Sequence, residues 1–281
     1  MTQTRFTVLD DTRGHPDLAG QISAILHRVA PTVKEITDLP LPSEGVRFRL
    51  LRPKAWREEY RQNLHRVLAR DIADLDLSPK QIDAARTGLK ITGFVPALVW
   101  PMVLASTQKA ADGQCETVIA PRALHHGGAL ADERVLLQVV AHELVHHLQD
   151  EARSGTVWKT FFPQQREILA PPRSVSTVLE GHATWADRQV TTRLFGTSAD
   201  HRQARKSWRY RLHSSLPGIG RLGPSREGYE QGAQLIGHAT AAHGVGLVNR
   251  IWKDLSLLPT TDEIADPQAW TLRIKQGSLH A

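Results

Sequence analysis

The chain has 281 residues, 41% of them hydrophobic and 23% charged, the balance of a globular protein long enough to bury a sizeable core. Its single cysteine, Cys115, excludes an intramolecular disulfide and a cysteine-ligated metal centre. A formal charge of +6 suits a soluble protein and an anionic partner alike, and by itself selects no fold.

Met1 to Asp11 mixes Thr, Arg, Asp and Gln with no apolar stretch, so no secretory signal and a cytoplasmic location are expected. From Asp17 to Ile36, Leu18, Ile22, Ile25, Leu26, Val29 and Val33 fall at helical spacings. Pro40 and Pro42 break that helix. Val46, Phe48 and Leu50 then alternate with Arg47 and Arg49, predicting a strand with one wet face. Pro53 fits the first turn of a helix to about Leu75, and Ser78-Pro79 opens another to about Thr87. The apolar run Phe94 to Ala110 reads as a helix bent by Pro96 and Pro101, and is too short to span a membrane.

Thr117 to Ala120 predicts a short strand, ended by Pro121 and the Gly127-Gly128 pair. Such a strand could take an extended peptide by strand addition. Asp132 is a good N-cap for a helix over Glu133 to Asp150, with Gly155 as a stop. Further helices are predicted over Gln164 to Ala170, Val175 to Phe195, Asp200 to Leu212, Glu227 to His243 and Leu247 to Leu257, and Thr260 and Glu263 form a capping-box pattern. His201 to Arg211 carries five Lys or Arg residues and two aromatics, without a known nucleic-acid motif. It reads as a solvated helix face with Trp208 turned inward. No repeat or linker is evident. The expectation is a mainly α fold with a small β-sheet (α+β): one domain over residues 1–281, with 1–112 a helical part carrying one strand and 113–281 the C-terminal helices and candidate site.

The chemistry concentrates in His142-Glu143-Leu144-Val145-His146, an H-E-x-x-H pattern. A spacing of four puts both imidazoles on one helix face, able to reach one metal at about 2.0–2.1 Å. Glu143 lies about 100° round the helix, where a carboxylate reaches a water rather than the metal and can serve as general base. Leu136, Val140, Leu144, Val145 and Leu148 give this helix an apolar side, so it should be buried. A catalytic zinc takes three protein ligands and keeps one position open. Glu180, in an otherwise core-like helix 34 residues after His146, is the best third ligand. The rival His182 points about 200° away from it. Glu167 and His201 lie on more polar stretches. Asp187 and Asp150 could support a ligand imidazole, although each reads more simply as an exposed acid. Tyr229, Tyr210, His213 and His243 are open choices for an oxyanion donor.

His142 to His146 followed by Leu179-Glu180-Gly181-His182-Ala183 resembles the bacterial zincin-like metallopeptidases, a family of unknown substrate with some members associated with deazaflavin coenzyme biosynthesis. Tyr229-Glu230-Gln231-Gly232 resembles that family's Tyr-x-x-Gly helix, and Leu258-Pro259-Thr260, Glu263-Ile264, Asp266-Pro267 and Trp270 its closing motif. The likeness runs from about Cys115 to Arg273. It implies a zincin fold, a twisted sheet beside the active-site helix above a helical lower half. It also implies Zn2+ on His142, His146 and Glu180, with Glu143 as catalytic acid/base, the gluzincin arrangement. Thermolysin-like relatives carry an Asp four residues after the ligand Glu. Thr184 stands there in this chain, so that contact must come from elsewhere. The expected activity is hydrolysis of a peptide or amide bond. The alternatives are a small-molecule amide or ester hydrolase and a non-catalytic basic binding protein with a vestigial zinc site. No nucleic-acid or membrane partner is expected, and the oligomeric state is left open.

Overall fold

A computed structural model of the protein describes residues 4–155, 172–199, 204–215 and 226–276. Its sheet has four strands in the order β1 (Phe6–Asp10), β2 (Val46–Leu50), β4 (Cys115–Ile119) and β3 (Ser106–Lys109). β1, β2 and β4 are parallel, and β3 runs antiparallel to β4 along one edge. Three of these strands precede residue 113, where the sequence pattern showed one.

Side-chain alternation assigns the two faces of the sheet. Val46, Phe48, Leu50 and Ile119 enter the main core, which also draws on α1 (Pro16–Thr37) and α6 (Glu133–Ala152). The opposite face is not simply wet. Arg47 and Arg49 both reach Glu116, which is fully buried, and Arg47 also holds Asp112 at 2.8 Å. Beside this ion-pair layer Trp56, from α2 (Pro53–Asp74), packs with Leu51, Trp100 and Val118. α3 (Pro79–Thr92) follows, opened by a capping box in which Ser78 and Gln81 satisfy each other's backbone N–H groups.

The expected helix over Phe94 to Ala110 is not formed. Only α4 (Val95–Val99) is helical, and the chain then extends into β3. Pro101 has no N–H to continue a helix, and an edge strand is paired on one side only, so its alternation is weak. Pro121 does not merely end β4. It starts α5 (Pro121–Gly127), closed by Gly128 at φ +83, where the Arg205 carbonyl leaves no room for a side chain.

α6 is the central element. Asp132 caps it by accepting from the Arg134 N–H, and residues from Val135 to Gln149 are almost continuously buried. α7 (Pro172–Phe195) and α9 (Arg226–His243) complete the lower half. They meet at Gly181 and Gly232: a Cβ on Gly232 would run into the Thr177 carbonyl oxygen, and one on Gly181 into the Gly232 backbone. Glycine here permits the backbone approach that sets Tyr229 beside Glu180. The predicted helix over Leu247 to Leu257 is broken into α10 (Val245–Val248) and two 3-10 turns, Asn249–Trp252 and Leu255–Leu257. The Thr260–Glu263 capping box opens α11 (Thr261–Ala265) as expected. In α12 (Pro267–Gln276), Trp270 donates to the Leu257 carbonyl and Arg273 to the Glu263 carboxylate. The closing motif therefore fastens the C-terminal segment and stands apart from the chemistry.

The predicted helix over Gln164 to Ala170 lies outside the described residues, as do Glu167 and His201 to Gln203 of the basic run. The rest of that run is helical only in α8 (Trp208–Ser214), where Trp208 is 70% exposed and not turned inward. Among the described residues no helix is long and apolar enough to cross a membrane.

Candidate metal centre

His142, His146 and Glu180 converge, with one potential ligand atom from each lying within 4.8 Å of the others. Glu180 Oε2 stands 3.3 Å from His142 Nε2 and 3.5 Å from His146 Nε2. The imidazole rings are 5.0 Å apart and nearly perpendicular, one turn apart on α6.

The surrounding hydrogen bonds fix which nitrogen each ring presents. His142 Nδ1 lies 2.9 Å from Asp187 Oδ2, a carboxylate that can only accept, so Nδ1 carries the hydrogen. Gln149 Nε2 donates to the Leu179 carbonyl at 3.0 Å, which turns its oxygen towards His146 Nδ1, 2.8 Å away. His146 Nδ1 must therefore be the donor. Both Nε2 lone pairs then face the Glu180 carboxylate. Two lone pairs and an anion held together in a largely buried site need positive charge between them. Without metal a proton fills that place: burial lowers the His142 imidazole, but its bonds to Asp187 and Glu180 outweigh this and raise it to about 10. Two imidazole nitrogens and a carboxylate oxygen, each with its outer partner in place, fit a zinc ion, which displaces such a proton on binding.

Asp187 corrects the reading of it as an exposed acid. It is buried, and Gln138 Nε2 holds its second oxygen at 2.9 Å. It stands seven residues after Glu180, two turns on and so on the same helix face. It thus makes the contact that Thr184 cannot. Asp150 takes no part, being paired with Lys109 at 2.6 Å. His182 points elsewhere: it accepts from Gln149 Nε2 at 3.1 Å and meets the Trp252 ring edge-on. Burial, with His146 nearby, lowers its imidazole to about 3, so it stays neutral.

Glu143 is buried but turned off the ligand cluster, towards β3. Its Oε2 accepts from the Thr107 hydroxyl at 2.6 Å. Of the candidate oxyanion donors, Tyr229 is the one placed at the cluster. Its ring lies 6.3 Å from that of His142, and its hydroxyl is hydrogen-bonded to Glu180. Burial, then the Glu180 and Glu143 carboxylates, raise its pKa well above the ordinary value, so the hydroxyl keeps its proton. His213 is bonded to the Leu98 carbonyl, Tyr210 lies under the Lys206 ammonium, and His243 closes α9.

A small mixed sheet, a buried H-E-x-x-H helix and a carboxylate from the next helix define the zincin class of metal-dependent hydrolases. The chain belongs to the zincin-like metallopeptidase family, whose model matches residues 122–271 of the 281. No curated protein sequence matches it. Its fold is similar to the crystal structure of a proposed hydrolase with a novel fold from Chloroflexus aurantiacus, at a TM-score of 0.63 and 18% identity over 93% of this chain and 91% of that one.

Proposed function

We propose that the protein is a zinc-dependent hydrolase of peptide or amide bonds, with His142, His146 and Glu180 as ligands and Glu143 as general acid and base. The observation that carries the reading is the convergence of two tautomer-fixed imidazoles on Glu180 while Glu143 is held apart from them. A zinc ion held there supplies Lewis acidity, lowering the pKa of water towards about 7 and polarising a carbonyl. Glu143 takes the proton of the attacking water and passes it to the leaving amine. Tyr229, protonated and bonded to the ligand carboxylate, would donate to the oxyanion once its hydroxyl turns from Glu180.

An extended peptide suits the site better than a compact small molecule. β4, which contains most of the Thr117 to Ala120 stretch expected to take a strand, is interior, paired on both sides by β2 and β3. β3 is the edge, and among the described residues its outer side is unpaired. Thr107 on that strand touches Glu143, so a chain added there would run past the base.

The test is digestion of a peptide library by zinc-loaded protein. Cleavage is expected, abolished by a chelator and restored by zinc. Full activity in the metal-free protein would refute the reading. Binding of one zinc without turnover of any peptide, amide or ester would turn it towards a non-catalytic role.

A further inference from the structure

Three polar side chains run from Glu143 into the core with no ligand role to explain them. Thr107 Oγ1 lies 2.6 Å from Glu143 Oε2, Thr117 Oγ1 lies 2.7 Å from Thr107 Oγ1, and His147 Nε2 lies 3.0 Å from Thr117 Oγ1. The fold dictates the arrangement. Thr107 and Thr117 are register partners of β3 and β4, so both face α6, where Glu143 and His147 stand one turn apart. Thr117 and His147 are fully buried, and the His147 ring is stacked on Phe48 with centroids 5.7 Å apart.

An ionised Glu143 gives this chain a single direction. A carboxylate only accepts, so the one Thr107 proton goes to Glu143. Thr107 must then accept from Thr117, whose own proton is thereby used. Thr117 in turn must accept, and its only donor here is an Nε2–H of His147. The remaining His147 nitrogen, Nδ1, has no hydrogen-bond partner among the described residues and is left as the bare one. Each bond polarises the next, which strengthens the last donor onto the buried carboxylate.

We propose that Thr107, Thr117 and His147 are positioning residues for Glu143: their one-way hydrogen-bond chain ties Oε2 to the sheet edge, keeps the carboxylate off the metal and leaves Oε1 as the oxygen that takes the proton from water. The inference rests on the reading of Glu143 as the base. It assigns a task to a histidine that directly follows a proposed ligand without being one. A base displaced by about 1 Å loses rate on the order of 10²-fold, so the tether acts on the chemical step.

The test compares Thr107→Val, nearly the same shape without the hydroxyl, with Thr107→Ser, which keeps it. The full chain is saturated with zinc, and the imidazole tautomers are read by two-bond ¹H–¹⁵N correlation. His147 should be a single Nε2–H tautomer in the parent and in both variants, since Nδ1 has no acceptor among the described residues, and its Nε2–H proton should move upfield in Thr107→Val, where the polarised chain is cut, but not in Thr107→Ser. On whichever substrate the library supplies, Thr107→Val should lower kcat by about 10- to 100-fold with KM within about threefold, and Thr107→Ser should stay within about threefold of the parent. The chain is overturned if the parent carries its His147 hydrogen on Nδ1, or if the Val and Ser variants behave alike. The tautomer needs no substrate, so it decides the matter even if the protein hydrolyses nothing, an outcome that would count against the proposed function alone.

Discussion

Replacing Glu143 by Gln is expected to leave zinc bound at the parental level and to lower turnover by about 10²–10⁴-fold, the usual contribution of general acid–base catalysis. The amide has nearly the shape of the carboxylate, and its oxygen can still accept from Thr107, so the helix and the chain behind it should stand. What disappears is the capacity to take a proton. Because the side chain acts on water rather than on bound substrate, the loss should fall on kcat, with KM little changed. Zinc stoichiometry alongside turnover makes the test. A variant that loses its zinc would make Glu143 a ligand or a structural support. One that keeps both zinc and full activity would remove the proposed mechanism.

Glu180→Ala should act on the metal instead. Glu180 Oε2 faces both imidazoles and is the sole carboxylate of the cluster, so its removal takes away a ligand and most of the negative charge that attracts the cation. Zinc affinity should fall by more than the roughly 10–100-fold typical of outer partners such as Asp187. His182 provides the control two residues away. It touches the centre only through Gln149, so His182→Gln should keep affinity within about tenfold. Competition with a chelator of known affinity measures both. A larger loss in the His182 variant would overturn the ligand assignment.

Much of this site was legible because its parts repeat with the period of a helix. The four-residue spacing of His142 and His146, the buried carboxylate at Glu180 and the opposed phase of His182 all follow from 3.6 residues per turn. Asp187 obeys the same rule, seven residues from Glu180, but a lone acid among Arg and Gln looks exposed until the packing of α7 on α6 buries it against Gln138 and His142. Gln149, a polar residue one turn after His146 in an apolar helix, carries the same periodic signal. Thr107 could not have been found this way. Its strand has four residues on a sheet edge and follows an apolar, proline-bearing run that resembles a helix. Only the pairing with β4, fixed by contacts distant in sequence, brings it to Glu143. β1 was missed for the same reason. The 3-10 turns after Val248 were hidden because single apolar residues at mixed spacings satisfy a helical template and a broken one alike.

The central claim is that α6 and α7 hold one zinc between His142, His146 and Glu180 while Glu143 stands off it. Diffraction from zinc-loaded crystals at the zinc absorption edge tests it most directly. One anomalous peak per chain is expected, about 2.0–2.2 Å from His142 Nε2, His146 Nε2 and a Glu180 oxygen, with Glu143 outside bonding distance. A peak bound by Glu143, a peak centred on His182, or no peak at this cluster under saturating zinc would contradict it.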